Sequence, residues 1–362
     1  MTSVKVFLEK AVQEKASDIY IVSGKAVSIK VYGKLVPSSD VLSQDDSEKC
    51  VRELYDMAER DFSKLARDLD DDFSVSCGSL GRFRVNVYIQ NGSYASVIRT
   101  VPNSIPDAKA LNLPKTVLDL TNLTKGIVLV TGPTGSGKTT TLACLIDKIN
   151  QERDCHIVTV EDPIEFRHPH KNSVISQREL EKDTRSFLNA LRAALRQAPD
   201  VILIGEMRDL ETVETAITAA ETGHLVFSTL HTMGAASTID RIIDSFPADR
   251  QNQIRTQLSM TLQAVVSQQL LPNAMGKISA AFEIMTATPA LRNLIRENKI
   301  FQIDNIIQTS VNIGMKTLDM SLSELVAAKL ITAEQALAHC ANPSNLKLAG
   351  AQSPRVAPVA RF

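Results

Sequence analysis

The sequence predicts an α/β protein: a small α+β domain, then a doubly wound, mostly parallel sheet, then a helical extension. Three observations point there. Short runs of alternating polarity recur through the first hundred residues. From about residue 119, apolar strands alternate with helical segments, which is the rhythm of a parallel sheet with crossover helices. A glycine-rich loop, Gly132 to Thr139, lies at one of the strand-to-helix junctions.

In the first domain, assigned to residues 1–100, Val4, Phe7, Leu8 and Val12 sit at helical spacing. Alternating runs follow at 18–22, 27–32 and 82–89, punctuated by Gly24, Gly33, Gly78 and Gly81. The acidic cluster Asp68, Asp70, Asp71 and Asp72 reads as a solvated turn. Residues 101–118, with Pro102, Pro106 and Pro114, read as a linker. Within 119–285, strands are expected at 127–130, 156–160, 201–204 and 225–229. From about 249 the pattern turns helical, with Ile254, Leu258, Leu262, Val265, Val266 and Leu270 on one face of a long helix. Short helices fill 286–345, and the tail 346–362, with Pro354 and Pro358, is expected to be disordered.

The composition narrows the class. At 362 residues the chain has room for two or three domains. Hydrophobic residues at 44% and charged residues at 22% support large cores. A net charge of −1 and a pI near 6.6 leave no footprint for tracking a nucleic-acid backbone. The lack of Trp and 4% aromatics argue against base stacking, so no nucleic-acid partner is expected. Cys50, Cys77, Cys144, Cys155 and Cys340 form no C-x-x-C pair and read as free thiols in a reducing compartment. Charges interrupt the N-terminus where a signal peptide would be apolar, and no run is long enough to span a bilayer. A cytoplasmic location is expected, with membrane association only through partners.

The loop carries the chemistry. Gly132, Pro133, Thr134, Gly135, Ser136, Gly137, Lys138 and Thr139 match G-x-x-x-x-G-K-[ST] at every fixed position, between an apolar strand and a helix that opens at Thr140. Glycines let the backbone curl around phosphate oxygens, and the helix N-terminus aims N–H groups at the anion. Lys138 would reach the β- and γ-phosphates, and Thr139 would offer its hydroxyl to Mg²⁺. Hydrolysis also needs a group to orient water. Glu206 ends the apolar strand 201–204 and is the candidate for that role and for the metal, since Gly205 stands where a metal-linked Asp is usual. Glu161, Asp162 and Glu165 form a second acidic group at a strand end, with metal or water contacts and a solvated loop both open. His224 and His231 bracket a strand and are placed to sense phosphate or to serve as hydrogen-bonded structural residues. His168 and His170 read as exposed loop residues.

In this order, the glycine-rich loop, Glu161–Glu165, Glu206–Asp209 and Thr222–Thr232 resemble the Walker A, Asp box, Walker B and His box of the type II/IV secretion ATPases. The resemblance covers residues 1 to about 345. Residues 290–297, Ala-Leu-Arg-Asn-Leu-Ile-Arg-Glu, resemble a motif of the pilus-retraction branch, with Leu291 in place of Ile, and 302–309 and 314–319 are similar to that branch too. The tetracysteine loop of the assembly and secretion branches is absent. The resemblance implies a PAS-like first domain, a RecA-like second domain and a homohexameric ring, with nucleotide between the domains. It implies that Arg82, Arg84 and Arg99 reach the phosphates, where sequence alone reads them as surface residues; Arg208 and Arg241 are weaker candidates. It implies ATP and Mg²⁺ as ligands, with Thr139, Glu161 and Glu206 at the metal and His231 beside the reaction. The implied function is ATP hydrolysis that powers type IV pilus retraction and twitching motility. Partners would be an inner-membrane platform protein and a paralogous retraction ATPase. The competing readings are an accessory retraction paralogue, an assembly or secretion ATPase, and a RecA-like nucleic-acid translocase.

Overall fold

The structure is a computed structural model, and it describes residues 3–31, 33–101, 104–207 and 209–347. Two compact units emerge. The first takes residues 1–105 and 163–167, and the second takes 106–162 and 168 onward. Arg208, Pro102 and all but the first two residues of the 346–362 tail lie outside the described residues.

In the first unit, helix α1 (Val4–Gln13) starts at Ser3, whose side chain accepts from the Lys5 N–H. Strands β1 (Asp18–Ile21), β2 (Ala26–Val31) and β3 (Lys34–Val41) precede α2 (Gln44–Met57) and α3 (Ser63–Asp68). Strands β4 (Asp70–Ser76), β5 (Arg82–Gln90) and β6 (Ser93–Val101) complete an antiparallel sheet in the order β3-β2-β1-β6-β5-β4. Phe7, Leu8, Ile19, Leu54, Tyr55, Phe83 and Ile98 form its core. The acidic cluster is solvated in part and is not a turn: Asp68 ends α3, Asp70 to Asp72 open β4, and Asp68, Asp70 and Asp72 are exposed. Asp71 is buried, held by the Tyr55 hydroxyl at 3.1 Å, Arg60 at 3.1 Å and Lys64 at 2.9 Å. Two cations and a phenol compensate a carboxylate that would be costly to bury alone.

The first helix of the second unit, α4 (Lys115–Asp119), already begins within the expected linker. Strand β7 (Gly126–Thr131), α5 (Lys138–Glu152), β8 (His156–Glu161) and β9 (Val174–Glu179) follow. Then come α6 (Phe187–Ala194), β10 (Val201–Ile204), α7 (Leu210–Glu221), β11 (Leu225–Leu230), α8 (Ala235–Asp244) and α9 (Ala248–Thr261). Strands β12 (Leu262–Pro272) and β13 (Ile278–Thr286) precede α10 (Pro289–Arg296), α11 (Ile303–Thr309), α12 (Leu318–Ala327) and α13 (Ala333–His339). The sheet order is β13-β12-β7-β11-β10-β8-β9, parallel throughout except for the β12–β13 pair. This is the α/β fold that the sequence predicts.

The long helix expected over 254–270 is a correction. It ends at Thr261, and β12 begins at once, with Val265 beside Leu129 and Val266 beside Val130. The Arg292 guanidinium takes the terminal carbonyls of α9, Ser259 at 2.7 Å and Met260 at 2.9 Å, and so stops the helix from a position far along the chain. Helices α10 and α11 do not stand apart, whereas Leu322 of α12 and Ala336 of α13 form a smaller cluster with Leu271 and Ala281 of β12 and β13. Leu291, Ile295, Ile303 and Ile307 belong to the same apolar core as Ile127, Leu129 and Val265.

Candidate functional site

All of β7 is buried, so the strand delivers the loop at a rigid carboxyl edge. Gly132 has φ +137°, and a Cβ there would lie 2.2 Å from the Gln268 carbonyl oxygen on β12, so only glycine fits. Lys138 begins α5, and its buried ammonium lies 2.8 Å from the Gly132 carbonyl and 3.0 Å from that of Pro133, across the curve of the loop. The Ser136 hydroxyl is buried without a hydrogen-bond partner among the described residues, whereas Pro133, Thr134 and Gly135 are exposed. Thr139 and Thr140 are half-buried on the first turn of α5. A bent backbone, an unmatched buried hydroxyl, an ammonium and a 15-residue helix N-terminus at one spot suit a polyphosphate.

Gln268 is a site residue that the sequence analysis missed. It is buried and accepts from the Thr141 hydroxyl at 2.8 Å, and its amide would meet a Cβ on Gly137 at 2.8 Å. It thus spans the base of the loop from Gly132 to Gly137. It also helps line a cavity of about 510 Å³, together with Leu111, Pro114, Thr140, Leu270 and Phe282. Reading β12 as helix hid this wall, because helical spacing turns Gln268 away from β7.

Glu206 follows β10 at the same carboxyl edge. Its neighbours are fixed: the Gly205 N–H donates to the Val160 carbonyl at 2.8 Å, and the Thr229 hydroxyl donates to the Gly205 carbonyl at 2.6 Å. A Cβ on Gly205 would lie 3.2 Å from the Val160 oxygen and 3.4 Å from the Glu161 Cα, so a metal-linked Asp would crowd β8 there. The Glu206 Oε1 lies 3.3 Å from the His231 Nε2, and the imidazole is half exposed. Glu161, buried at the end of β8, accepts from the Thr159 hydroxyl at 2.6 Å and the Gln177 amide at 3.1 Å. The strand order therefore gathers the loop, Glu206, His231 and Glu161 along one edge.

Other expected residues are not brought there. His224 is a correction: it stands before β11, at the Gly126 end of the β7–β11 pair, while the loop leaves the Thr131 end. At about 3.3 Å per residue the strand puts it roughly 20 Å from His231. Its Nδ1 instead lies 2.9 Å from the Ala219 carbonyl, at the end of α7. His168 is also a correction, since it is buried rather than exposed, and burial pushes its pKa down to about 4. Asp162 is exposed just past the end of β8. Glu165 is exposed too, and it belongs to the first unit, between the buried Ile164 and Phe166. Arg82, Arg84 and Arg99 all lie in the first unit. Arg82 is buried and donates to the Ser74 hydroxyl, Arg84 pairs across the ladder with Arg99, and Arg99 holds Asp18 at 3.1 Å. Arg241 is exposed on α8.

The sequence profile described as type II/IV secretion system protein matches residues 1–301. The chain belongs to that family. It is 45% identical over 92% of its length to the type IV pilus retraction ATPase PilT of Pseudomonas aeruginosa, covering 96% of that protein. It is 38% identical over 94% of its length to the type IV pilus ATPase PilU of the same organism, covering 89% of it. Among solved structures, the pilus retraction motor PilT with bound ADP superposes with a TM-score of 0.89 and 44% identity, covering 96% of this chain and 99% of that one.

Proposed function

We propose that this family member hydrolyses ATP to power type IV pilus retraction and hence twitching motility. The observation that carries the reading is a phosphate-shaped loop within a chain that matches a retraction ATPase over nearly its whole length. The higher identity to PilT than to PilU favours the main motor over an accessory paralogue.

In this reading the loop backbone, Lys138 and the N-terminus of α5 bind the phosphates, and the apolar cavity beside Thr140 and Gln268 receives the nucleoside. Glu206 accepts a proton from, or orients, the water that attacks the γ-phosphate in line, and His231 holds the Glu206 carboxylate at hydrogen-bonding range. Among the described residues no three His, Cys, Asp or Glu side chains gather into a metal cage. That suits Mg²⁺, which usually takes one or two protein oxygens and completes its shell with phosphate and water. Thr139 and Glu206 would hold it, with Glu161 behind, and when bound it neutralises phosphate charge. Arg82, Arg84 and Arg99 would add positive charge as the transition state forms in the assembled ring. A homohexamer acting in the cytoplasm on an inner-membrane platform protein is part of the same proposal. No helix among the described residues is long and apolar enough to cross a membrane, so force would reach the pilus through that partner.

Pilus counts on cells lacking the gene, beside cells carrying Glu206→Gln at the same locus, test the reading. Surplus pili with lost twitching in both strains are expected. Bald cells would make this an assembly motor, and unchanged pili would point to an accessory role.

A further inference from the structure

The loop that carries His231 ends on an unusual helix start. Helix α8 has Gly234 as its N-cap, with no side chain to cap the first turn and φ +85°. Two side chains from the edge of the sheet cap it instead. The Gly234 N–H donates to the Ser267 hydroxyl at 2.9 Å, and the Ala235 N–H donates to the Glu283 Oε1 at 2.7 Å. Ser267 and Glu283 are direct cross-strand partners on β12 and β13, so the two acceptors stand side by side. Thr232 is tied as well, its hydroxyl 2.7 Å from that of Thr238.

Glu283 is buried, and burial pushes its pKa up, with Asp304 and Asp319 adding to the effect. The N–H groups of Ala235 and Leu318 oppose this by bonding the ionised form, and they begin α8 and α12 respectively. A local Ser, Thr or Asp cap would satisfy α8 without burying a charge. The feature that the remote pair adds is a fixed end for a short loop. With residues 232, 234 and 235 anchored, His231 has little backbone freedom, and its ring lies 3.3 Å from Glu206.

We propose that Glu283, with Ser267 beside it, is a positioning residue that holds His231 against Glu206. The inference rests on the reading of His231 as part of the hydrolytic site.

The test is a double-mutant cycle on the full chain, reading kcat for ATP and Kd for a fluorescent ADP analogue. His231→Ala should lower kcat. Glu283→Met, which keeps the size of the side chain and removes the acceptor for the Ala235 N–H, should lower kcat about tenfold with Kd unchanged, and should lower it no further when combined with His231→Ala. Equal losses in both backgrounds, or wild-type kcat in Glu283→Met, would overturn the role of Glu283 while leaving His231 in place. Wild-type kcat in His231→Ala would overturn the reading of His231, and this inference with it. If Glu283→Met does not fold, Ser267→Ala carries the same cycle with the same outcomes.

Discussion

Gly132 tolerates no side chain, because the Gln268 carbonyl oxygen would lie 2.2 Å from its Cβ. Gly132→Ala should therefore lose tight ADP binding, measured by titration with a fluorescent analogue; tight binding would mean that β12 yields easily. Lys138→Ala should lose tight binding for another reason, the loss of charge rather than shape. Glu206→Gln separates binding from chemistry. It should keep its nucleotide affinity and lose about 100-fold or more in turnover, as expected for a general base, and a variant that turns over fully would remove Glu206 from that role. At this scale the loop was legible because its residues are contiguous and its motif is local. Gln268 and Glu283 were not legible, because each acts on a segment far away in sequence. Thr141 meets Gln268 across 127 positions and Ala235 meets Glu283 across 48, and one sequence carries no sign of such pairings. His224 was misplaced for a related reason: closeness to His231 along the chain says nothing about which end of a strand faces the ligand.

Helix α10 accommodates two readings of residues 290–297 at once. Leu291 and Ile295 are fully buried, while Asn293 and Arg296 line an open groove. Leu291→Ala should cost about 2–5 kcal/mol by leaving a cavity, whereas Arg296→Ala should change stability by no more than about 0.5 kcal/mol. Urea unfolding of both variants checks this, and equal effects would deny that the helix has a buried and a surface face. The central strands were legible as apolar runs bounded by turns. Strand β12 was not. It is buried on both faces, so it shows no polar alternation, and its apolar residues also satisfy helical spacing. What stops α9 is Arg292, over 30 positions downstream of the carbonyls that it captures.

For the molecule as a whole, acid is the sharpest prediction. His168 has a native pKa of about 4 against an ordinary 6.5, because burial disfavours its charged form. Between those values the unfolded chain binds a proton that the native chain does not, so stability is complete above about pH 6.5 and falls as pH drops toward 4. The loss should reach on the order of 3 kcal/mol, and His168→Asn should flatten that part of the pH profile; an unchanged profile would place the titration elsewhere. The sequence made the succession of an antiparallel and a parallel sheet legible, since each has its own rhythm. The return of residues 163–167 to the first unit was invisible, because a five-residue segment has no period. There Ile164 and Phe166 are buried, and Arg167 donates to the Ser76 hydroxyl at 3.1 Å. Heredity meets that segment as a constraint. A recombination event that joins a foreign N-terminal segment at residue 106 would leave five residues of the old parent embedded in the new one. Chimeras of this family should therefore succeed when residues 163–167 travel with the first hundred, and fail when they are left behind.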